Sequence, residues 1–200
     1  MVSDIISITS SGTNMDQALE QTAKVARFKD LSPKGALHLR LLAEEMMGMM
    51  RSITHEVNGR FWIEDQDENG TFRLHLKTET VMDAEKRREL LSASSSGQNE
   101  ATRSLMGRLR EFFFRGANED IANYQTPTLN AGIAPGMPMT DWQWSMTRYR
   151  DTLSSLKSEK PEAAEAWDEL EKSVVHSVAD DVKISIKGWE TEMVLIKKLS

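Results

Sequence analysis

The stretch Ser32 to Val57, SPKGALHLRLLAEEMMGMMRSITHEV, constrains this chain more than any other. Ser32 is suited to accept from the first free backbone N–H groups of a helix. Pro33 fits the first turn, where its missing N–H costs nothing. Leu39, Leu42, Met46, Met49 or Met50, and Ile53 recur at helical spacing, so one stripe must face a core. The spacing predicts one long helix that ends near Asn58-Gly59, with Gly59 supplying a left-handed end. In its middle stands the pair Glu44-Glu45, flanked by apolar residues. Adjacent helical residues point about 100° apart, so the two carboxylates cannot cooperate on one face, and at least one is expected in solvent.

Two hundred residues suffice for one domain with a full core. The net charge of −6 and the lack of any long basic run argue against nucleic acid as a partner, because phosphate neutralisation needs clustered Lys and Arg. The local cluster Lys86-Arg87-Arg88 reads as a solvated helix face. Cysteine is absent, which removes disulfides, thiolate chemistry and Cys-based zinc sites. The start MVSDIISITSSGTN does not read as a secretory signal, and no apolar run approaches the roughly 20 residues that span a bilayer. A cytoplasmic location without membrane contact is the expectation.

In chain order, Val2 to Thr9 predicts a strand with Ile6 and Ile8 on one face. Asn14 is expected to cap a helix from Met15 to about Phe28, with Met15, Leu19, Ala23 and Ala26 inward. After the organising helix, Arg60 to Asp65 and Thr71 to Val81 predict a hairpin across the turn Asp67-Glu68-Asn69-Gly70. Phe72, Leu74 and Leu76 alternate with Arg73, His75 and Lys77, so one face of that hairpin is wet or ligand-facing. Helices are expected over 83–91 and 98–115, and a long loop over 117–140. Asp141 reads as the cap of a helix carrying Trp142, Trp144, Met146, Tyr149 and Leu153. Pro161 starts another, with Ala164, Trp167, Leu170 and Val174 or Val175 inward. Val182 to Lys187 and Thr191 to Leu199 alternate as closing strands about Gly188. The result is an α+β fold: a two-layer α/β sandwich, its mostly antiparallel sheet covered by helices on one face. Residues 1–200 form a single domain, with 83–160 as a helical insertion.

This plan resembles the GHKL ATP-binding domains, closest to the bacterial anti-sigma-factor serine/threonine kinases. The residues that carry the resemblance are Ile6-Ser7-Ile8, the Ser32-Pro33 start, Leu41-Leu42-Ala43-Glu44-Glu45, the hairpin 61–81, and the closing Ala179-Asp180-Asp181-Val182 through Met193-Val194-Leu195-Ile196-Lys197-Lys198-Leu199. The resemblance spans roughly residues 2–82 and 165–199. It implies a Glu on the long helix as general base, here Glu45, and four residues later an Asn that holds Mg²⁺. That position falls on Met49, and a thioether is a poor ligand for a hard cation that takes oxygen. It also implies an Asp after the second hairpin strand that binds the adenine amino group, followed by a Gly-containing turn. Thr78, Glu79 and Thr80 occupy that region. Their side chains can accept hydrogen bonds, but a backbone without Gly cannot approach a ligand as closely. The family's glycine-rich lid before the closing strands is absent too; Ser158-Glu159-Lys160-Pro161-Glu162 stands there, and the loop Asn130 to Met137 is the one glycine-bearing stretch left to consider.

The candidate site is therefore Glu45 as the catalytic position, with Met49, Thr78, Glu79 and Thr80 lining a degenerate nucleotide pocket. The expectation is a non-catalytic member of that fold acting in bacterial signalling through protein–protein contact, with no cofactor and no metal. By resemblance the partner is a sigma factor or an anti-anti-sigma-like regulator; a homodimer is a further assembly to consider. One alternative is an ATP-binding serine/threonine kinase that uses Mg²⁺-ATP at a divergent site. Another is a small-molecule sensor, because Met46, Met47, Met49 and Met50 suit an adaptable apolar pocket as well as a core. His38, His55, His75 and His176 show no metal-ligand spacing and read as core or surface histidines. Trp142 and Trp144, two apart on a helix, are expected to face apart, one of them marking a contact surface.

Overall fold

The computed structural model describes residues 1–51, 57–66, 70–79, 141–187 and 190–199. The helices expected over 83–91 and 98–115, the loop 117–140, the Lys86-Arg87-Arg88 cluster, Ile53, His55, the turn residues 67–69 and Gly188 lie outside the described residues. The order is β1 (Ile6–Thr9), α1 (Met15–Phe28), α2 (Pro33–Arg51), β2 (Asn58–Gln66), β3 (Thr71–Glu79), β4 (Asp141–Ser145), α3 (Met146–Leu156), α4 (Pro161–Glu171), α5 (Val174–Val178), β5 (Asp181–Lys187) and β6 (Glu190–Lys198). The strands form one sheet in the order β1-β2-β3-β6-β5-β4, with every neighbouring pair antiparallel. The two-layer α+β architecture is as the periodicities imply.

The organising helix takes its place for the reasons visible in its sequence. Ser32 Oγ accepts from the Gly35 N–H at 3.2 Å, and Pro33 occupies the first turn. Leu39, Leu42, Ala43, Met46, Met47, Met49 and Met50 are all buried. α2 packs against α1, β3 and α5, while α1 lies over β1 and β2, and α3 over β4 and β5. One face of the sheet is thereby covered. It presents Ile6 and Ile8 of β1, Phe61 and Ile63 of β2, Phe72, Leu74 and Leu76 of β3, Met193 and Leu195 of β6, and Val182 and Ile184 of β5.

Several local expectations are corrected. Asn58 and Gly59 do not end α2; they open β2, where Gly59 pairs with Ile8 on one side and Thr78 on the other. A Cβ at Gly59 would stand 3.2 Å from Met50 Cε and 3.2 Å from Leu76 Cδ1, so close side-chain packing, not a turn, selects glycine there. Asn14 does not cap α1 with its side chain. It sits in the left-handed region at φ 57, and its Nδ2 donates to the Ser7 carbonyl at 2.9 Å. That bond occupies an outward-facing acceptor of β1, an edge strand whose free backbone would otherwise invite pairing. The inner face of α1 is Met15, Ala18, Thr22, Val25 and Ala26, with Ala23 exposed. In α4 the buried residues are Ala163, Ala166 and Leu170, with Ala164 and Trp167 at the margin.

The largest correction is β4. Residues 141–145 form a strand, with Trp144 opposite Ile184 of β5, and the helix begins only at Met146. Ser145, not Asp141, caps that helix, accepting from the Arg148 N–H. Trp142, Trp144 and Met146 are spaced by two, which serves a strand as readily as a helix, and the exposed edge of β5 decides between them. Trp144 is buried against Tyr149, with ring centroids 5.6 Å apart.

Two glycines should respond oppositely to alanine. Gly48 is exposed in α2, and a Cβ there meets nothing within 4 Å. Gly48→Ala should stabilise the fold by about 0.5–1 kcal/mol by lowering the entropy of the unfolded chain. Gly70 has φ 57, and its Cβ would run into the Leu199 carbonyl oxygen. Gly70→Ala should cost roughly 1–3 kcal/mol. Urea denaturation of both variants checks the pair of signs.

Candidate functional site

The C-terminal half of α2 lies above one end of the sheet, where a row of small residues crosses the strands. Gly59 of β2 pairs with Thr78 of β3, which pairs with Thr191 of β6. Thr78 and Thr191 are each 1% exposed, and the Oγ1 of each is buried without a hydrogen-bond partner among the described residues. Leaving such a hydroxyl unsatisfied costs about 1–3 kcal/mol, so two side by side need a reason. Thr191 was invisible as a site residue in the sequence, because only the β3–β6 register brings it opposite Thr78.

Glu44 and Glu45 part company as helix geometry requires. Glu44 Oε1 accepts from Arg40 Nε at 2.8 Å in a partly exposed i,i+4 pair. Glu45 is half-buried on another flank of α2 and makes no hydrogen bond or ion pair among the described residues. Burial pushes its carboxyl above the ordinary carboxylate value, and the neighbouring Glu44 charge adds to that. Met49 is 4% exposed and belongs to the core cluster. Glu79 closes β3 opposite Glu190, and Thr80 lies outside the described residues. The structure thus places Glu45 and Met49 on one helix and Thr78 at the matching end of the sheet.

These residues do not fit a Mg²⁺-bound triphosphate. The position at which the resemblance expects an oxygen carries a buried thioether, and no group of three His, Asp or Glu side chains that could hold a metal occurs among the described residues. None of the described helices is long and apolar enough to cross a membrane.

A second cluster lies on the opposite face of the sheet. His75 is only 8% exposed there. Its ring stacks on Trp62 with centroids 4.6 Å apart and planes 9° from parallel. His75 Nδ1 is 2.7 Å from Glu192 Oε1, and Nε2 is 3.5 Å from Glu64 Oε2. Trp62 Nε1 donates to Glu64 Oε1 at 3.1 Å, so the indole is held as well. Lys77 reaches Glu190 at 2.8 Å. The alternation of Arg73, His75 and Lys77 announced a wet face; Glu192, which comes from a strand 117 residues away, could not be read locally.

No family model matches this chain, and neither does any curated protein or solved structure. Function must therefore be built from the residues themselves.

The Glu192 contact has a testable consequence. The hydrogen bond to His75 holds the Glu192 carboxyl below its ordinary value against the opposing effect of burial, helped by the charges of His75, Lys77 and Lys187. A carboxyl depressed in the folded chain adds stability that is complete above the unfolded value, about pH 4.5, and is lost as pH falls through the folded one. Glu192→Gln should lower the melting temperature at pH 7 and flatten its decline below about pH 4.5. Equal slopes for the two proteins in that range would rule the contact out as a source of acid sensitivity.

Proposed function

We propose that the chain is a non-catalytic domain of the GHKL type, closest to the anti-sigma-factor kinases, that acts in bacterial regulation by holding a protein partner. The family comes from the resemblance of the α2 stretch and the closing strands. The loss of catalysis follows from Met49. Its sulfur stands where Mg²⁺ needs oxygen, and it is packed into the core. A swing outward to make room would expose an apolar side chain whose burial is worth about 1.5–3 kcal/mol. Glu45 without an aligned metal has no phosphoryl group to act on.

Melting with and without Mg²⁺-ATP tests this directly. A ligand at 100 times its dissociation constant adds about 2.7 kcal/mol, a shift of several degrees in a chain of this size. The expected result is no shift at millimolar Mg²⁺-ATP. A clear shift would instead favour the kinase alternative. In that case Glu45→Gln should abolish phosphoryl transfer and leave the fold intact. In the non-catalytic chain Glu45→Gln should raise the melting temperature slightly at neutral pH. A raised carboxyl is penalised while ionised, and the penalty vanishes in acid where both states are protonated.

The unpartnered hydroxyls of Thr78 and Thr191 favour a second reading, in which this end of the sheet accepts a small uncharged ligand under the Met-rich helix. Thr78→Val separates the two. If the hydroxyl serves nothing, replacing it with a methyl of the same shape should stabilise the fold by about 1 kcal/mol or more, measured by urea denaturation. If it awaits a ligand, the gain should disappear when a metabolite mixture is added, because only the parent protein is then stabilised.

A further inference from the structure

We draw no further inference here: the strongest candidate, the crevice between the α1–α2 connection and the ends of β2, β3 and β6, lined by Lys29, Asp30, Ser32, Asp65, Phe72 and Leu199, carries nothing, because its buried carboxylate, that of Asp65, is already paired with Lys29, and residues 67–69 beside it lie outside the described residues, so nothing in the structure shows what would fill it.

Discussion

The rest of the structure depends on the seating of α2 on the centre of the sheet. Four methionines project from that helix into the core, and the strands beneath become small at Gly59, Thr78 and Thr191 where the helix ends. Met50 Cε lies where a Cβ on Gly59 would need room. Large and flexible above, small below, is one way to fill a layer at the density of a protein interior. Each buried methionine contributes about 1.5–3 kcal/mol, against a net stability of about 5–15 kcal/mol for a typical domain. The helix cannot move away without endangering the fold.

That same packing decides what this end of the sheet can do. An oxygen at position 49 would have to sit at the margin of the core and meet a metal; a sulfur there is satisfied by contact alone. On the proposed reading, stability and the loss of metal chemistry are one feature seen twice. Thr78 and Thr191 run against this trend, since they keep polar atoms in a place where apolar ones would serve the packing better. They are the part of the site that core formation does not explain.

Local periodicity carried most of the fold. The 3.6-residue stripe of α2, the two-residue alternation of β3 and β6, and the Ser32-Pro33 start all survive in the structure because each burial pattern has one solution. What failed was decided elsewhere in the chain. Residues 141–145 became a strand because β5 had an edge to fill, and nothing within five residues encodes that edge. Asn14 had the chemistry of a cap, but its backbone is left-handed and its side chain is held by the bond from Nδ2 to the Ser7 carbonyl. Gly59 looked like a helix end, while its neighbours across β1 and β3 made it a strand residue. The site divides in the same way. Glu45 and Met49 follow from helical spacing, while the Thr78–Thr191 pair and the His75–Glu192 contact exist only once β3 and β6 are in register.

A sheet with helices on one side must answer for its other side. Here the answer is not a plain polar surface. The imidazole of His75 lies between carboxylates of β2 and β6 and against an indole, so three strands are tied across their outer face by side chains as well as by backbone. Such a network holds its members in one arrangement, and a surface already in one arrangement associates at lower entropic cost than a loose one. Solubility alone would be served by exposed lysines and glutamates. Trp62 and His75 are ordered there beside the half-buried Val194 and Ile196, so among the described residues this face is held by its side chains as well as by its backbone ladder.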